Sequence, residues 1–298
     1  MAGSVNVKYL VKGAVHETKS FDGTIIRYST RGRGCPIVTA NGVATTTNFW
    51  HYFEDHFSTM AQVICWDYRG HGRSDVPTNL DSFEVSCHAK DLKAVLDHAG
   101  IDRAVLVGFS MGAQVILEFC RDNSDRVLAL IPVNGPASKP FEAFSTAPLF
   151  EKLYTKLFGH FIEHPGVLKA IAAPLLTSPV MWPAARILEI DRHRCSKLEM
   201  DLYFEHIVKM GFPNDLRALL GMARHSAEDV LPLIDAPTLV IAGQKDGMCP
   251  MRLVKKIYRK VKGAELFVVP HGTHATLIEA PDLVNFRIET FLRKHALL

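Results

Sequence analysis

The sequence predicts an α/β fold: a mostly parallel, eight-stranded sheet flanked by helices and interrupted by one helical insertion. Three observations support this prediction. Short apolar segments alternate with helix-length segments along most of the chain, as the strands and helices of a parallel sheet do. Residues 136–232 break that alternation. A Gly-x-Ser-x-Gly pentapeptide joins one apolar segment to one helical segment. The 298 residues are 48% hydrophobic, which is enough for a sizeable core.

The first two strands are expected to be antiparallel. Apolar and polar residues alternate over residues 5–11, which predicts a half-buried strand. Asp22 and Gly23 then mark a turn into a second strand at residues 25–28.

The remaining strands are predicted to be parallel because they are apolar through most of their length, as strands buried on both faces are. These six segments are residues 36–40, 63–66, 104–107, 127–133, 238–242 and 265–269. Helical patterns lie between or after them, at residues 81–98, 252–261 and 283–295. The first has Asp81 as a candidate N-cap with Glu84 three residues later, and Gly100 as its stop signal.

The insertion divides the predicted core into two parts. The core comprises residues 1–135 and 233–298, and residues 136–232 form a helical lid, or cap. The insertion has helical patterns at residues 149–161 and 198–210, and its many prolines should keep the helices short.

The composition indicates which partners and which cellular compartment to expect. A net charge of +3 gives no reason to expect nucleic acid or an anionic membrane as the main partner. No apolar run reaches the roughly 18 residues of a membrane span, and the first residues lack the apolar core of a signal peptide. The six cysteines are widely spaced, which favours reduced thiols in a cytoplasmic protein.

The pentapeptide Gly108-Phe109-Ser110-Met111-Gly112 is the first catalytic candidate. It follows an apolar strand and precedes a helix, the context in which Gly-x-Ser-x-Gly forms a nucleophile elbow and lifts the serine hydroxyl above the sheet. A serine hydroxyl needs a base to take its proton and a third group to orient that base. Ser110 is therefore the predicted nucleophile.

Candidates for the other two groups follow later strands, in the order serine, acid, histidine that this type of sheet uses. Asp246 comes after the strand at residues 238–242, at a carboxyl end where open α/β sheets bind ligands. The strand at residues 265–269 opens into a loop that holds His271 and His274, and a histidine of that loop can reach both Ser110 and Asp246.

Together these motifs resemble the α/β-hydrolase superfamily, as a lidded serine esterase-like member, over nearly the whole chain outside the lid. The matching segments are Asn41-Gly42-Val43, Asp67-Tyr68-Arg69-Gly70-His71-Gly72-Arg73-Ser74, the Ser110 pentapeptide, residues 243–250 and residues 271–281. In the family the catalytic histidine precedes a stretch that ends in Glu-x-Pro, here Glu279-Ala280-Pro281. The resemblance therefore selects His274 as the base.

The oxyanion hole is expected to consist of two backbone N–H groups, those of Met111 and Val43. Many relatives have His-Gly where this chain has Asn41-Gly42, a change that backbone donors survive. Asn41, Gly42 and, in the lid, Trp182 are candidate substrate-binding residues. Apolar lid residues are expected to help line the pocket roof.

These residues predict a hydrolase that cleaves a carboxylic ester of a small to medium apolar substrate through an acyl-enzyme. The same groups suit thioesters, lactones, amides, carbon–carbon bonds and cofactor-free perhydrolysis. Haloalkane dehalogenases and epoxide hydrolases resemble the chain in fold but use an aspartate nucleophile, so Ser110 argues against both. A ligand receptor on a hydrolase scaffold is the alternative from another class. No cofactor and no metal are expected, because His271 and His274 have no cysteine or carboxylate cluster beside them.

Overall fold

The computed structural model describes residues 12–140, 156–164, 166, 194–210 and 212–298. Eight strands in these ranges form one sheet. In chain order they are β1 (Ala14–Lys19), β2 (Ile25–Arg31), β3 (Pro36–Ala40), β4 (Gln62–Trp66), β5 (Ala104–Phe109), β6 (Val127–Val133), β7 (Leu239–Gly243) and β8 (Glu265–Val269). The spatial order is β1-β2-β4-β3-β5-β6-β7-β8. From β4 to β8 every neighbouring pair is parallel, which confirms the predicted architecture.

The antiparallel part of the sheet differs in detail from the prediction. β2 pairs antiparallel with β1 and with β4, and Gly23 has a φ of 83° in the tight turn between β1 and β2. The predicted first strand at residues 5–11 lies outside the described residues. The sequence of β1 has no alternation of apolar and polar residues because β1 is a largely exposed edge strand. Even Val15 is exposed.

The helices pack on both faces of the sheet. They are α1 (His51–Phe57), α2 (Val85–His98), α3 (Met111–Asn123), α4 (Lys197–Met210), α5 (Phe212–Arg224), α6 (Met251–Lys260), α7 (Thr276–Glu279) and α8 (Pro281–Lys294). The predicted start of α2 at Asp81 was wrong. The Asn79 side chain accepts the Asp81 backbone N–H at 3.0 Å and makes a turn there, so the helix begins at Val85.

Two apolar clusters lie on opposite faces of the sheet. Along β5, Leu106 belongs to one cluster and its neighbours Val105 and Val107 to the other, since successive strand residues point to opposite faces. The first cluster packs α2, α3 and α6 against the sheet, and the second packs α1 and α8. This two-sided burial is why the parallel strands are continuously apolar.

The described residues between β6 and β7 contain no strand. They include α4, α5 and a helical segment at residues 156–163, and the others are mainly turns and loops. The rest of the predicted helix at residues 149–161 lies outside the described residues. Gly221 of α5 approaches the chain at Phe83 so closely that a Cβ would lie 2.6 Å from the Phe83 carbonyl oxygen.

In the described ranges no helix has the length and apolarity to cross a membrane. All six cysteines are described, and none of them forms a disulfide.

Candidate active site

Ser110 occupies a strained turn between β5 and α3. Its φ of 54° and ψ of −115° lie in a region that L-residues rarely adopt. Glycines on either side make the turn possible. A Cβ on Gly108 would lie 2.2 Å from the Gly112 carbonyl oxygen, and a Cβ on Gly112 would lie 2.1 Å from the Ala40 carbonyl oxygen. The spacing of the pentapeptide is therefore a packing requirement of the turn that presents the hydroxyl.

The structure brings together the three side chains that the motifs singled out. His274 Nε2 lies 3.0 Å from Ser110 Oγ, and His274 Nδ1 lies 2.9 Å from Asp246 Oδ2. The Asp246 side chain is only 1% exposed and that of His274 11% exposed. The result is a continuous hydrogen-bonded chain in which a hydroxyl proton can pass to an imidazole whose other nitrogen faces a buried carboxylate.

Two groups that the sequence analysis did not identify hold Asp246. The Asn134 side-chain amide donates to Asp246 Oδ2 at 2.8 Å and to the Thr273 carbonyl at 3.0 Å, and the Cys249 backbone N–H donates to Asp246 Oδ1 at 2.8 Å. Thr276 Oγ1 donates to Asn134 Oδ1 at 2.5 Å. Both Asp246 oxygens are therefore fixed in position. Asn134 follows β6 at the same sheet edge, and that position is the only sequence signal that could have found it.

Both residues predicted to supply the oxyanion hole lie beside Ser110: Met111 follows it in the chain, and Val43 lines the same cavity. Among the described residues, neither the Val43 N–H nor the Met111 N–H donates to another protein group. Met111 is the first residue of α3, where helical N–H groups are unpaired and the helix dipole is positive. The loop after β3 is also strained, since Ala44 has a φ of 57°. This pair can donate to a negatively charged oxygen formed beside Ser110.

The three candidate substrate-binding residues have different locations. The Asn41 side chain is fully buried: its amide nitrogen donates to the Trp66 carbonyl at 2.9 Å, and its oxygen accepts from the Trp50 indole at 2.7 Å. It braces the loop from behind and does not line the cavity beside Ser110. Gly42 lies next to the nucleophile, because a Cβ there would lie 3.3 Å from Ser110 Cβ. Trp182 lies outside the described residues.

A cavity of about 230 Å³ opens beside Ser110 and His274. Core loops and the helices α4 and α5 both contribute to its walls, which are mainly apolar and aromatic. The described lining residues are Val43, Ala44, Thr45, Phe49, Phe109, Ser110, Tyr203, Asp215, Leu216, Leu219, Met248, His274 and Ala275. Mainly apolar walls with a few polar groups are typical of small-molecule binding sites.

The second histidine of the β8 loop lies apart from this arrangement. His271 is exposed, and its backbone N–H donates to Gln244 Oε1 at 2.9 Å. The Glu279 side chain accepts the Thr273 backbone N–H at 2.9 Å, which fixes the loop so that His274 faces Ser110. Within the described ranges, no group of three His, Cys, Asp or Glu side chains has an arrangement suited to a metal ion.

Comparison with known proteins identifies the family to which the fold belongs. A family model described as the alpha/beta hydrolase fold matches residues 36–281. Epoxide hydrolase 3 of Xenopus tropicalis is 26% identical over 257 residues, which are 84% of this chain and 69% of that protein. A Variovorax paradoxus protein named "Putative carbamate hydrolase RutD" is 28% identical over 267 residues, 88% and 92% of the two chains. A thermophilic esterase structure from Thermogutta terrifontis has a TM-score of 0.74 at 24% identity and covers 96% of this chain and 99% of its own.

Proposed function

The chain belongs to the α/β-hydrolase fold family, and from that premise we propose that it is a serine hydrolase that cleaves carboxylic esters through an acyl-enzyme. The observation that carries the proposal is the hydrogen-bonded chain from Ser110 Oγ through His274 to Asp246. Fold alone does not assign a reaction. The proposal therefore depends on what these three side chains can do.

In the proposed reaction, Ser110 Oγ attacks the ester carbonyl while His274 Nε2 takes its proton. The imidazolium that forms is stabilised by Asp246, which also holds the ring so that Nε2 faces the serine. The Val43 and Met111 N–H groups stabilise the tetrahedral oxyanion. His274 then gives the proton to the leaving alcohol. A water activated by the same histidine hydrolyses the acyl-enzyme and restores Ser110.

The identity of the nucleophile favours acyl transfer over epoxide opening, the activity in the name of the Xenopus relative. A carboxylate that opens an epoxide forms an ester, which water can hydrolyse. A serine that opens an epoxide would form an ether. His274 and Asp246 have no means of cleaving an ether. Attack on a carbonyl leaves Ser110 as an ester, so the catalytic cycle can close.

The cavity supports a substrate of small to medium size. A volume of about 230 Å³ with mainly apolar and aromatic walls suits a short acyl chain or an aryl group better than a sugar or a phosphate. We further propose that residues 136–232 act as a lid, because Tyr203 of α4 and Leu216 and Leu219 of α5 line the cavity that contains Ser110.

Turnover of p-nitrophenyl esters of increasing acyl length tests the proposal. Each buried methylene contributes about 0.8 kcal/mol, or roughly a fourfold gain, so kcat/KM should rise over the first few carbons and fall once the cavity is full. Ser110→Ala measures the uncatalysed background. A flat profile would reject the small apolar pocket. No turnover of any p-nitrophenyl ester, with good turnover of a thioester or lactone assayed beside them, would reject ester cleavage in favour of that reaction.

A further inference from the structure

The cavity beside Ser110 contains a carboxyl group that the proposed reaction does not use. Asp215 lies in the first turn of α5 and lines this cavity. Only 8% of its surface is exposed, and neither side-chain oxygen has a hydrogen-bond partner within the described chain. Buried polar groups are almost always hydrogen-bonded, so an unpaired carboxyl at a ligand cavity needs a specific explanation.

The position of Asp215 in α5 does not explain why its oxygens have no hydrogen-bond partner within the described chain. Acidic residues are common in the first turn of a helix, where a side-chain oxygen accepts an unpaired backbone N–H. Here both oxygens lack such a donor. No ion pair compensates the charge in the described part of the chain, and burial holds the pKa of Asp215 well above its usual value. The described residues therefore leave this carboxyl available to a ligand that enters the cavity.

The other cavity walls indicate which kind of partner. Three aromatic rings, those of Phe49, Phe109 and Tyr203, line the same cavity. Phe49 stacks on Phe109 with ring centroids 5.1 Å apart, and its centroid is 6.3 Å from that of Tyr203. Tyr203 and Asp215 line the same cavity, and burial raises the pKa of the Tyr203 hydroxyl, with a smaller contribution from Asp215. Aromatic faces attract cations, and an ammonium group is the ligand chemistry that a carboxylate and aromatic rings recognise together.

We propose that Asp215 is a specificity-determining residue that binds an aliphatic ammonium group of the substrate. This inference rests on the proposed function and deepens it: the substrate is an otherwise apolar ester that carries one protonated amine. The aromatic and aliphatic walls accept the hydrocarbon part, and Asp215 anchors the N–H of the cation. An uncharged ester of the same shape would still react, but it would leave the carboxyl unpaired.

The test compares esters that differ only in the cation. The probes are 2-(dimethylamino)ethyl butyrate and 3-methylbutyl butyrate, which have nearly the same shape, and their homologues with one and two further methylenes in the alcohol spacer. In the wild-type protein, kcat/KM should be higher for the cationic ester at one spacer length. Asp215→Asn preserves the side-chain shape, and it should lower the cationic-to-neutral ratio by about ten- to a hundredfold. Asp235→Asn, which removes an equal charge at an exposed site, should leave the ratio unchanged.

Two outcomes separate this inference from the proposed function. If the wild-type protein cleaves the neutral esters and Asp215→Asn leaves the ratio unchanged, the ammonium assignment is overturned while the esterase proposal stands. If no ester is cleaved, calorimetric binding of 3-methylbutylammonium chloride still tests the assignment. Binding about tenfold weaker in Asp215→Asn supports it, and equal binding by the two proteins overturns it.

Discussion

Asn134 offers a sharp test of how the acid is positioned, because its amide donates to Asp246 Oδ2 at 2.8 Å, the same oxygen that faces His274. Its φ of 48° lies in the left-handed region, where asparagine is tolerated and alanine is strained. Asn134→Gly removes the side-chain hydrogen bonds and suits this backbone. Asn134→Ala removes the same bonds and adds strain.

The hydrogen bonds to Asp246 give the expected loss of kcat in the Asn134 variants. A hydrogen bond to a charged group contributes about 1.5–3 kcal/mol. The Cys249 N–H still holds Asp246 Oδ1 in the variant, so the lower end of that range applies. About 1.5 kcal/mol corresponds to roughly a tenfold fall in kcat. KM should change little, because Asn134 is not a lining residue of the cavity. The free energy of unfolding of the alanine variant should be about 1 kcal/mol lower than that of the glycine variant.

Steady-state kinetics on a p-nitrophenyl ester and urea unfolding measure these two effects separately. The two variants should share one kcat and differ in stability. Thr276→Val is the matched control: it removes only the bond to Asn134 Oδ1 and should reduce kcat by a smaller factor. A glycine variant with kcat within twofold of the wild type would show that Asn134 does not position Asp246.

Three further predictions follow from the same structure. His274→Ala should abolish turnover, whereas His271→Ala should keep most of it because His271 is exposed and away from Ser110; the reverse result would refute the choice of base. Prolonged chelation with EDTA should leave the rate unchanged, and a loss restored by added metal would contradict this. Burial lowers the pKa of His71 to about 4, from 6.5, so the unfolded state binds a proton between these pH values that the folded state does not. Unfolding free energy should therefore fall as the pH drops through this window, by about 2 kcal/mol between pH 7 and pH 5 from this residue. A His71→Asn variant with the same pH dependence as the wild type in urea unfolding would refute that attribution.

The interior strands were predictable because burial on both faces leaves a continuous apolar run. β3, β6 and β8 have the predicted bounds. The exposed edge strand β1 has no such pattern and was not predicted. The start of α2 was misplaced because a local turn at Asn79 overrides a capping pattern.

The residues of the candidate site also fall into those that the sequence predicted and those that it did not. Ser110, Asp246 and His274 were predicted because each belongs to a motif at the carboxyl end of a strand. Asn134 and Asp215 were not, because their relevance depends on which distant residues the fold brings beside them. Asn134 is separated from Asp246 by 112 positions, and an aspartate in the first turn of a helix has no sequence signal that marks it as lining a cavity.

The most direct test of the central claim, that Ser110 is a nucleophile activated by His274, is covalent labelling by a fluorophosphonate followed by peptide mass mapping. The wild-type protein should carry one adduct, on the peptide that contains Ser110. His274→Ala should label more slowly by orders of magnitude, since the proton acceptor is gone, and Ser110→Ala should not be labelled. An adduct on a different serine, with Ser110→Ala still active toward esters, would contradict the account.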